Sequence, residues 1–212
     1  MPYCTVADLR AEGVTDAQAS DERLRLLIEE ASATIDRLTG WFFEPRALVL
    51  RLDGRGAASI EPTFPPISLS RITVGFETLS LSPEDLVVVG APVEPGFVAP
   101  RITRVRGIFA RGYGNVVAIG TWGYTEPDGT PHGRTPLAIR RACILLVMRL
   151  SSPAASFDPV EDVRARARIR SLRTRDQAVV FADPPRAGEV THDSELDELL
   201  RLYRRPFGIG AA

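Results

Sequence analysis

The sequence predicts an α+β fold: a helical bundle formed by N-terminal and C-terminal helices, with a small antiparallel β domain inserted between them. Three observations carry this. Apolar residues recur at spacings of three and four through residues 20–40 and again after Pro136, which is the pattern of helices with a buried face. Between these segments the period shortens to two, in short Val- and Ile-containing runs bounded by Gly and Pro. Helical periodicity then returns near the end, at Leu196, Leu199, Leu200 and Tyr203. The expected divisions are a helical part at 1–41, a β-rich insertion at 42–133 and a second helical part at 134–212. A chain of 212 residues with 44% hydrophobic and 25% charged residues has the composition of an ordinary globular protein.

Each element has a local cause. Thr5-Val6-Ala7-Asp8 starts a short helix, because Thr5 can accept from the first free N–H groups while Asp8 reaches back; Gly13 ends it. Ser20-Asp21-Glu22 starts the second helix. Leu24, Leu27, Ile28, Ala31, Ile35 and Leu38 line its apolar face, and Gly40 caps it. After Trp41, Leu48, Leu50 and Leu52 alternate with Val49 and Arg51, and Asp53-Gly54 reads as a turn of the hairpin type. Phe64-Pro65-Pro66-Ile67 is a stiff, extended connection. Leu69–Val74, Leu86–Val89 and Val116–Ile119 read as strands. Thr135-Pro136 restarts helix, with Thr at the cap and Pro at the first helical position. The segment that follows is apolar on most sides and predicts the central core helix. Asp158-Pro159 predicts another helix start, and Gln177–Phe181 a strand. The last helix begins near Asp193. Its early Glu195, Asp197 and Glu198 and late Arg201, Arg204 and Arg205 complement the helix dipole at both ends.

The residue types exclude most chemistry. All 26 basic residues are Arg, so no Lys is present for a Walker-type phosphate loop or a Schiff base. Cys4, Cys143, His132 and His192 lack metal-ligand spacing, and the acids form no metal cluster. No Gly-x-Ser-x-Gly elbow occurs. Arg111-Gly112-Tyr113-Gly114-Asn115 has no helix start directly behind it, so it reads as a hairpin turn rather than a phosphate cradle. The expectation is no catalytic residue, no metal and no cofactor. No apolar run reaches the ~20 residues of a membrane span, and the N-terminal residues lack the basic start and apolar core of a signal peptide. The expectation is therefore a chain without a membrane partner, made in the cytoplasm.

Charge is unevenly spread. Residues 1–133 hold 12 Arg against 17 acids, and residues 134–212 hold 14 Arg against 10 acids, a polarity suited to head-to-tail or stacked assembly, although charge alone favours a solvated surface with no partner. The stretch Arg164–Arg175 carries six guanidiniums. Few aromatics interleave with them, and on a helix Arg164, Arg166, Arg168 and Arg170 would fan out rather than form a stripe. Inter-subunit ion pairing is the preferred reading, ahead of plain solvated surface and of DNA contact. Tyr203-Arg204-Arg205-Pro206-Phe207 has the residue types of a binding anchor; a helix docked on its own core is the equal alternative.

In order and spacing the sequence resembles the head–tail adaptor, or connector, proteins of long-tailed bacteriophages and gene transfer agents. The matching pieces begin with Tyr3, Thr5-Val6-Ala7-Asp8-Leu9 and the helix Leu27–Asp36 running into Leu38-Thr39-Gly40-Trp41-Phe42-Phe43-Glu44-Pro45-Arg46. They continue with Leu52-Asp53-Gly54-Arg55-Gly56, Phe64-Pro65-Pro66-Ile67, Gly114-Asn115-Val116, Trp122-Gly123-Tyr124, Pro136–Ala142 and Leu199–Pro206. The resemblance implies a non-enzymatic virion protein at the neck, forming a ring, commonly of twelve subunits, beneath the portal. Such a ring extends the DNA channel, passes DNA without sequence-specific binding, and carries the stopper or tail proteins. In the longer members of that family a strand-rich segment is inserted between the main helices. The resemblance further implies portal docking by the C-terminal segment, here Arg201, Tyr203, Arg204, Arg205, Pro206 and Phe207. In such a ring Glu29, Glu30 and Asp36 could meet Arg164, Arg166, Arg168 and Arg170 of the neighbour. The alternatives are a tail-completion or stopper protein at the same junction, a DNA-binding protein using Arg164–Arg175, and, with least support, a small hydrolase.

Overall fold

The structure, a computed structural model, describes residues 2–93, 99–151, 171–173, 178–180 and 194–204. It is mixed helix and antiparallel sheet, with four helices and three sheets among those residues. Helix α1 (Val6–Ala11) opens with the reciprocal cap legible in the sequence. Asp8 N–H donates to Thr5 Oγ1 at 3.2 Å, and Thr5 N–H donates to Asp8 Oδ2 at 2.8 Å. Helix α2 (Asp21–Thr39) is capped by the Ser20 hydroxyl, which accepts from Arg23 N–H at 3.3 Å, and closes on Gly40 at φ +75°.

Helix α3 (Leu137–Ser151) begins one residue later than the sequence predicts. The Pro136 carbonyl accepts the first helical bond, from Arg140 N–H, so Pro136 takes the cap position. Thr135 Oγ1 does not cap; it donates to the Phe43 carbonyl at 2.9 Å. The free amide of Leu137 instead reaches Glu126 Oε2 at 3.4 Å, a cap from eleven residues upstream that no local pattern shows. Helix α4 (Ser194–Arg201) presents Leu196 and Leu200 inward. Helix α3 packs against α2 and α4, and α1 contacts both α2 and α3. Their shared core contains Leu24, Leu27, Ile28 and Ile35 of α2, and Ile139, Cys143 and Val147 of α3.

The strands are β1 (Arg46–Gly54), β2 (Ser59–Ile60), β3 (Pro66–Val74), β4 (Glu77–Thr78), β5 (Leu86–Val89), β6 (Arg101–Arg104), β7 (Gly112–Trp122), β8 (Ser171–Arg173) and β9 (Ala178–Val180). They form a sheet in the order β1-β7-β3-β4, a smaller one in the order β2-β6-β5, and the β8-β9 pair. Every pairing is antiparallel. Two expectations need correction here. Asp53-Gly54 does not turn the chain into a neighbouring hairpin strand, because β1 pairs with β7, about sixty residues on. Arg111–Asn115 is not a hairpin turn, because Gly112–Asn115 is the first part of β7. The two corrections share one cause: Asp53 Oδ1 accepts from Gly114 N–H at 2.6 Å, and Asn115 Oδ1 accepts from Gly54 N–H at 2.8 Å. Turn-favouring residues are used to knit two distant strand ends together.

The sheets enclose a second apolar core, with Ile72, Ile102, Phe109, Val116, Ala118 and Trp122 fully buried. Trp122 keeps its one polar group satisfied by donating Nε1–H to the Leu48 carbonyl at 3.1 Å. Trp41-Phe42-Phe43 joins the two cores. Extended backbone sends alternate side chains to opposite sides, so Trp41 and Phe43 enter the helical core while Phe42 enters the sheet core. The expected helix at Asp158 lies outside the described residues, as do Arg164, Arg166, Arg168, Arg170 and Arg175. Arg173, near the end of that stretch, is in strand β8, so this part of the run is extended rather than helical.

Candidate functional site

No group of three or more His, Cys, Asp or Glu side chains among the described residues could hold a metal ion. Exposed His132 lies in the loop before α3, where its carbonyl accepts from Thr125 Oγ1 at 2.7 Å. Cys4 and Cys143 are free, buried thiols with their sulfurs 3.4 Å apart. Donation to Cys143 Sγ, together with burial, pushes the Cys4 thiol up, so it is held in the protonated, unreactive form. A cavity of about 290 Å³ lies between the end of α1 and α3. Val14, Leu145 and Met148 line it together with Glu12, whose carboxylate is engaged by Arg141 at 3.0 Å. Nothing lining it forms a nucleophile–base pair. Among the described residues, no helix is long and apolar enough to cross a membrane. Three arrangements set the geometry of the described surface.

The first is the C-terminal turn. Tyr203, which the sequence leaves level between a binding anchor and a helix docked on its own core, is buried. Its ring meets Phe43 edge-on at 5.6 Å and Tyr124 edge-on at 5.5 Å. Its hydroxyl donates to Glu126 Oε1 at 2.6 Å. Since Glu126 Oε2 takes the Leu137 amide, one carboxylate ties the C-terminal turn to the start of α3. Arg201 faces solvent and Arg204 is half-buried, while Arg205, Pro206 and Phe207 lie outside the described residues. Tyr203→Phe keeps the ring packing but leaves a charged acceptor without its donor. The expected cost is about 1–3 kcal/mol by urea denaturation. A loss below a few tenths would show that the Glu126 bond contributes nothing.

The second is the junction of α2 with β1. Tyr3 accepts from Phe43 N–H at 3.0 Å and donates to Asp36 Oδ1. Arg46 reaches Asp36 Oδ2 at 3.1 Å and Glu44 Oε1 at 2.8 Å, and its guanidinium lies 4.5 Å from the centre of the Phe42 ring. Burial raises the Asp36 carboxyl above the usual range despite the bonds from Tyr3 and Arg46, and burial likewise pushes the Tyr3 phenol up. Asp36 is thus an internal strut, unlike Glu29 and Glu30, which are exposed on the outer face of α2. Its partners lie 33 and 10 residues away, so its spacing from Glu29 and Glu30 could not separate it from them. The proposed partners Arg164, Arg166, Arg168 and Arg170 lie outside the described residues.

The third is the end of the β region farthest along β7 from Trp122, where Phe76 and Tyr113 are fully exposed. Tyr113 falls in the segment that the sequence reads as a hairpin turn, and nothing in the sequence singles out Phe76.

No protein family and no curated protein matches the sequence. Solved structures share its fold. The chain is similar to a chain in the neck of an empty GTA particle computed with C6 symmetry, with a TM-score of 0.55 and 16% identity over 97% of this chain and 91% of that one. It is similar to a chain in the neck of the native GTA particle computed with C12 symmetry, with a TM-score of 0.54 and 15% identity over 97% and 90%. A chain in the virion of the native gene transfer agent particle matches with a TM-score of 0.55 and 16% identity over 97% and 91%.

Proposed function

We propose that this chain is a structural head–tail adaptor. Copies of it form a ring beneath the portal, extend the DNA channel and carry the stopper or tail. The observation behind this reading is the fold likeness to neck chains over 97% of the sequence. Fold alone does not fix function. The reading therefore also draws on the ordered resemblance to adaptor sequences and on the lack of a catalytic arrangement among the described residues. The C12 and C6 symmetries of the similar necks support a closed ring, with twelve subunits as the expected number. In such a ring each subunit presents two unlike faces to its neighbours.

In this reading residues 1–41 and 134–212 make the adaptor core and 42–133 are an insertion into it. Portal docking falls to Arg201, Arg204, Arg205, Pro206 and Phe207. Tyr203 is the buried pin that fixes the turn carrying Arg201 and Arg204. Genome DNA passes through the lumen without being read. The protein acts at the virion neck after synthesis in the host cytoplasm, and it breaks no bonds.

Particles assembled without this chain test the reading. Filled heads bearing a portal and separate tails are expected, and adding the purified protein should join them. Joined particles in its absence would overturn the proposal. A stopper at the same junction gives a different result, since heads lacking only a stopper would still carry an adaptor ring on the portal.

A further inference from the structure

Three turns converge at the outer end of the β region. Gly54 pairs with Gly112, Gly75 N–H donates to the Asn115 carbonyl at 2.7 Å, and Ala57 bridges to Phe109. The end they form is braced from within. Asn115 Nδ2–H donates to the Ala110 carbonyl at 2.8 Å, and the Arg104 guanidinium reaches the Ile108 carbonyl at 2.9 Å and Glu77 at 3.6 Å. On this rigid support Phe76 and Tyr113 stand fully in solvent, with Ile108 more than half exposed beside them. Arg55 and Arg111 adjoin the paired Gly54 and Gly112 at this end, and Arg106 lies in the segment between Arg104 and Ile108; all three are exposed and without an ion-pair partner among the described residues. The nearby acids are engaged: Asp53 by Gly114 N–H and Glu77 by Arg104. Exposed aromatics at one end of the β region together with exposed arginines have the composition of a binding hot spot.

The complementary surface is on the same chain. On α2, Leu26 is 56% exposed. Glu22, Glu29 and Glu30 lie four residues before it and three and four after it, so they flank it on one face. None of the three carboxylates has an ion-pair partner among the described residues, and Arg23, three residues before Leu26, is the fourth residue flanking it, so the rim carries three carboxylates and one guanidinium. One surface is apolar with a basic rim, the other apolar with an acidic rim. Pairing tip to tip would oppose arginines, and pairing helix to helix would oppose glutamates. Only the unlike pairing is favourable, and an interface between unlike surfaces propagates head to tail.

We infer that the Phe76–Tyr113 tip of each subunit docks on the Leu26 face of α2 in the next copy of this chain, with Arg55, Arg106 and Arg111 opposite Glu22, Glu29 and Glu30. This rests on the ring reading above and names its interface. The acidic face of α2 is thereby given a cationic partner within the described residues.

The test uses assembled particles. Phe76→Cys and Leu26→Cys are placed in one chain, both at exposed positions, and particles are treated with a short bismaleimide. A covalent ladder of this chain is expected from the double variant and not from either single one. The triple change Arg55→Glu, Arg106→Glu, Arg111→Glu should lower the ladder at least tenfold. Adding Glu22→Arg, Glu29→Arg and Glu30→Arg to the same chain should restore it. Particles that contain the protein but give no ladder, or cross-links from Phe76→Cys alone to a different protein, would overturn the inference and leave the adaptor reading standing. Absence of the chain from particles would overturn both.

Discussion

Phe43→Ala will unfold the protein at a much lower urea concentration than the native chain, with a loss of about 3–5 kcal/mol. Phe43 is completely buried. Its ring meets Tyr3 at 5.7 Å, Tyr124 at 5.6 Å and Tyr203 at 5.6 Å, so it touches the N-terminal segment, the segment leaving β7 and the C-terminal turn at once. Its backbone is tied as well, through Tyr3 and Thr135. The pairs with Tyr3 and Tyr203 are edge-to-face, which adds roughly 0.5–1.5 kcal/mol each beyond their buried area, and the three neighbours cannot all collapse into one cavity. For a chain of this size the loss corresponds to a fall in melting temperature of about 6–20 °C. Because the turn that follows α4 is held against Phe43 through Tyr203, limited proteolysis should then cut within 194–204 before cutting the β strands. A loss under about 1 kcal/mol, with α4 still protected, would show that Phe43 is not the point where these segments are pinned.

Gly120→Ala will cost about 3 kcal/mol, well beyond what a glycine in a strand normally costs to replace. A Cβ at this position would lie 2.1 Å from the Ser68 carbonyl oxygen and 3.0 Å from the Leu69 Cα. Both are backbone atoms of β3, where the β3–β7 register already shifts between Pro66 and Ser68 and between Leu69 and Arg71. The close approach cannot be relieved by rotating a side chain, so β3 must move away from the central strand. Gly114→Ala is the informative comparison. Gly114 has φ +57°, but no atom stands within 4 Å of the place its Cβ would take, so its cost should be only the conformational strain of about 1–2 kcal/mol. Equal losses at the two sites, read from urea titrations, would contradict the distinction between collision and strain.

Much of this architecture is legible in the sequence, for reasons that separate local from distant causes. The Thr5–Asp8 and Ser20 caps, the Gly40 terminator and the apolar face of α2 all act within one or two turns, so their patterns survive without tertiary context. Strands β2, β4 and β6 have two to four residues each, too few to show a period, and the sequence predicts none of them. The Asp53-Gly54 and Gly112–Asn115 segments carry turn chemistry, but their partners are each other, across about sixty residues. Pairing at that range leaves no trace in a local window. The candidate surfaces divide in the same way. Glu29 and Glu30 are visible in the sequence as an outer helical face, whereas Asp36, on the same helix, is removed from that face by Tyr3 and Arg46. Tyr203 has the character of an anchor in the sequence, but the surface it binds is internal, because Phe43 and Tyr124 bury it. Phe76 and Tyr113 stay hidden at that level because only the folded chain distinguishes an exposed aromatic from a buried one.

The central claim is that this protein works by shape, as a ring at the neck of a particle. Averaged electron-microscopy density of the neck, from particles carrying a bulky tag in the exposed loop around His132, tests it most directly. The account predicts tag density repeated evenly around the axis between portal and tail, in twelve positions. Tag density confined to the head shell or the distal tail, or normal joined particles with no tag at the neck, would contradict it.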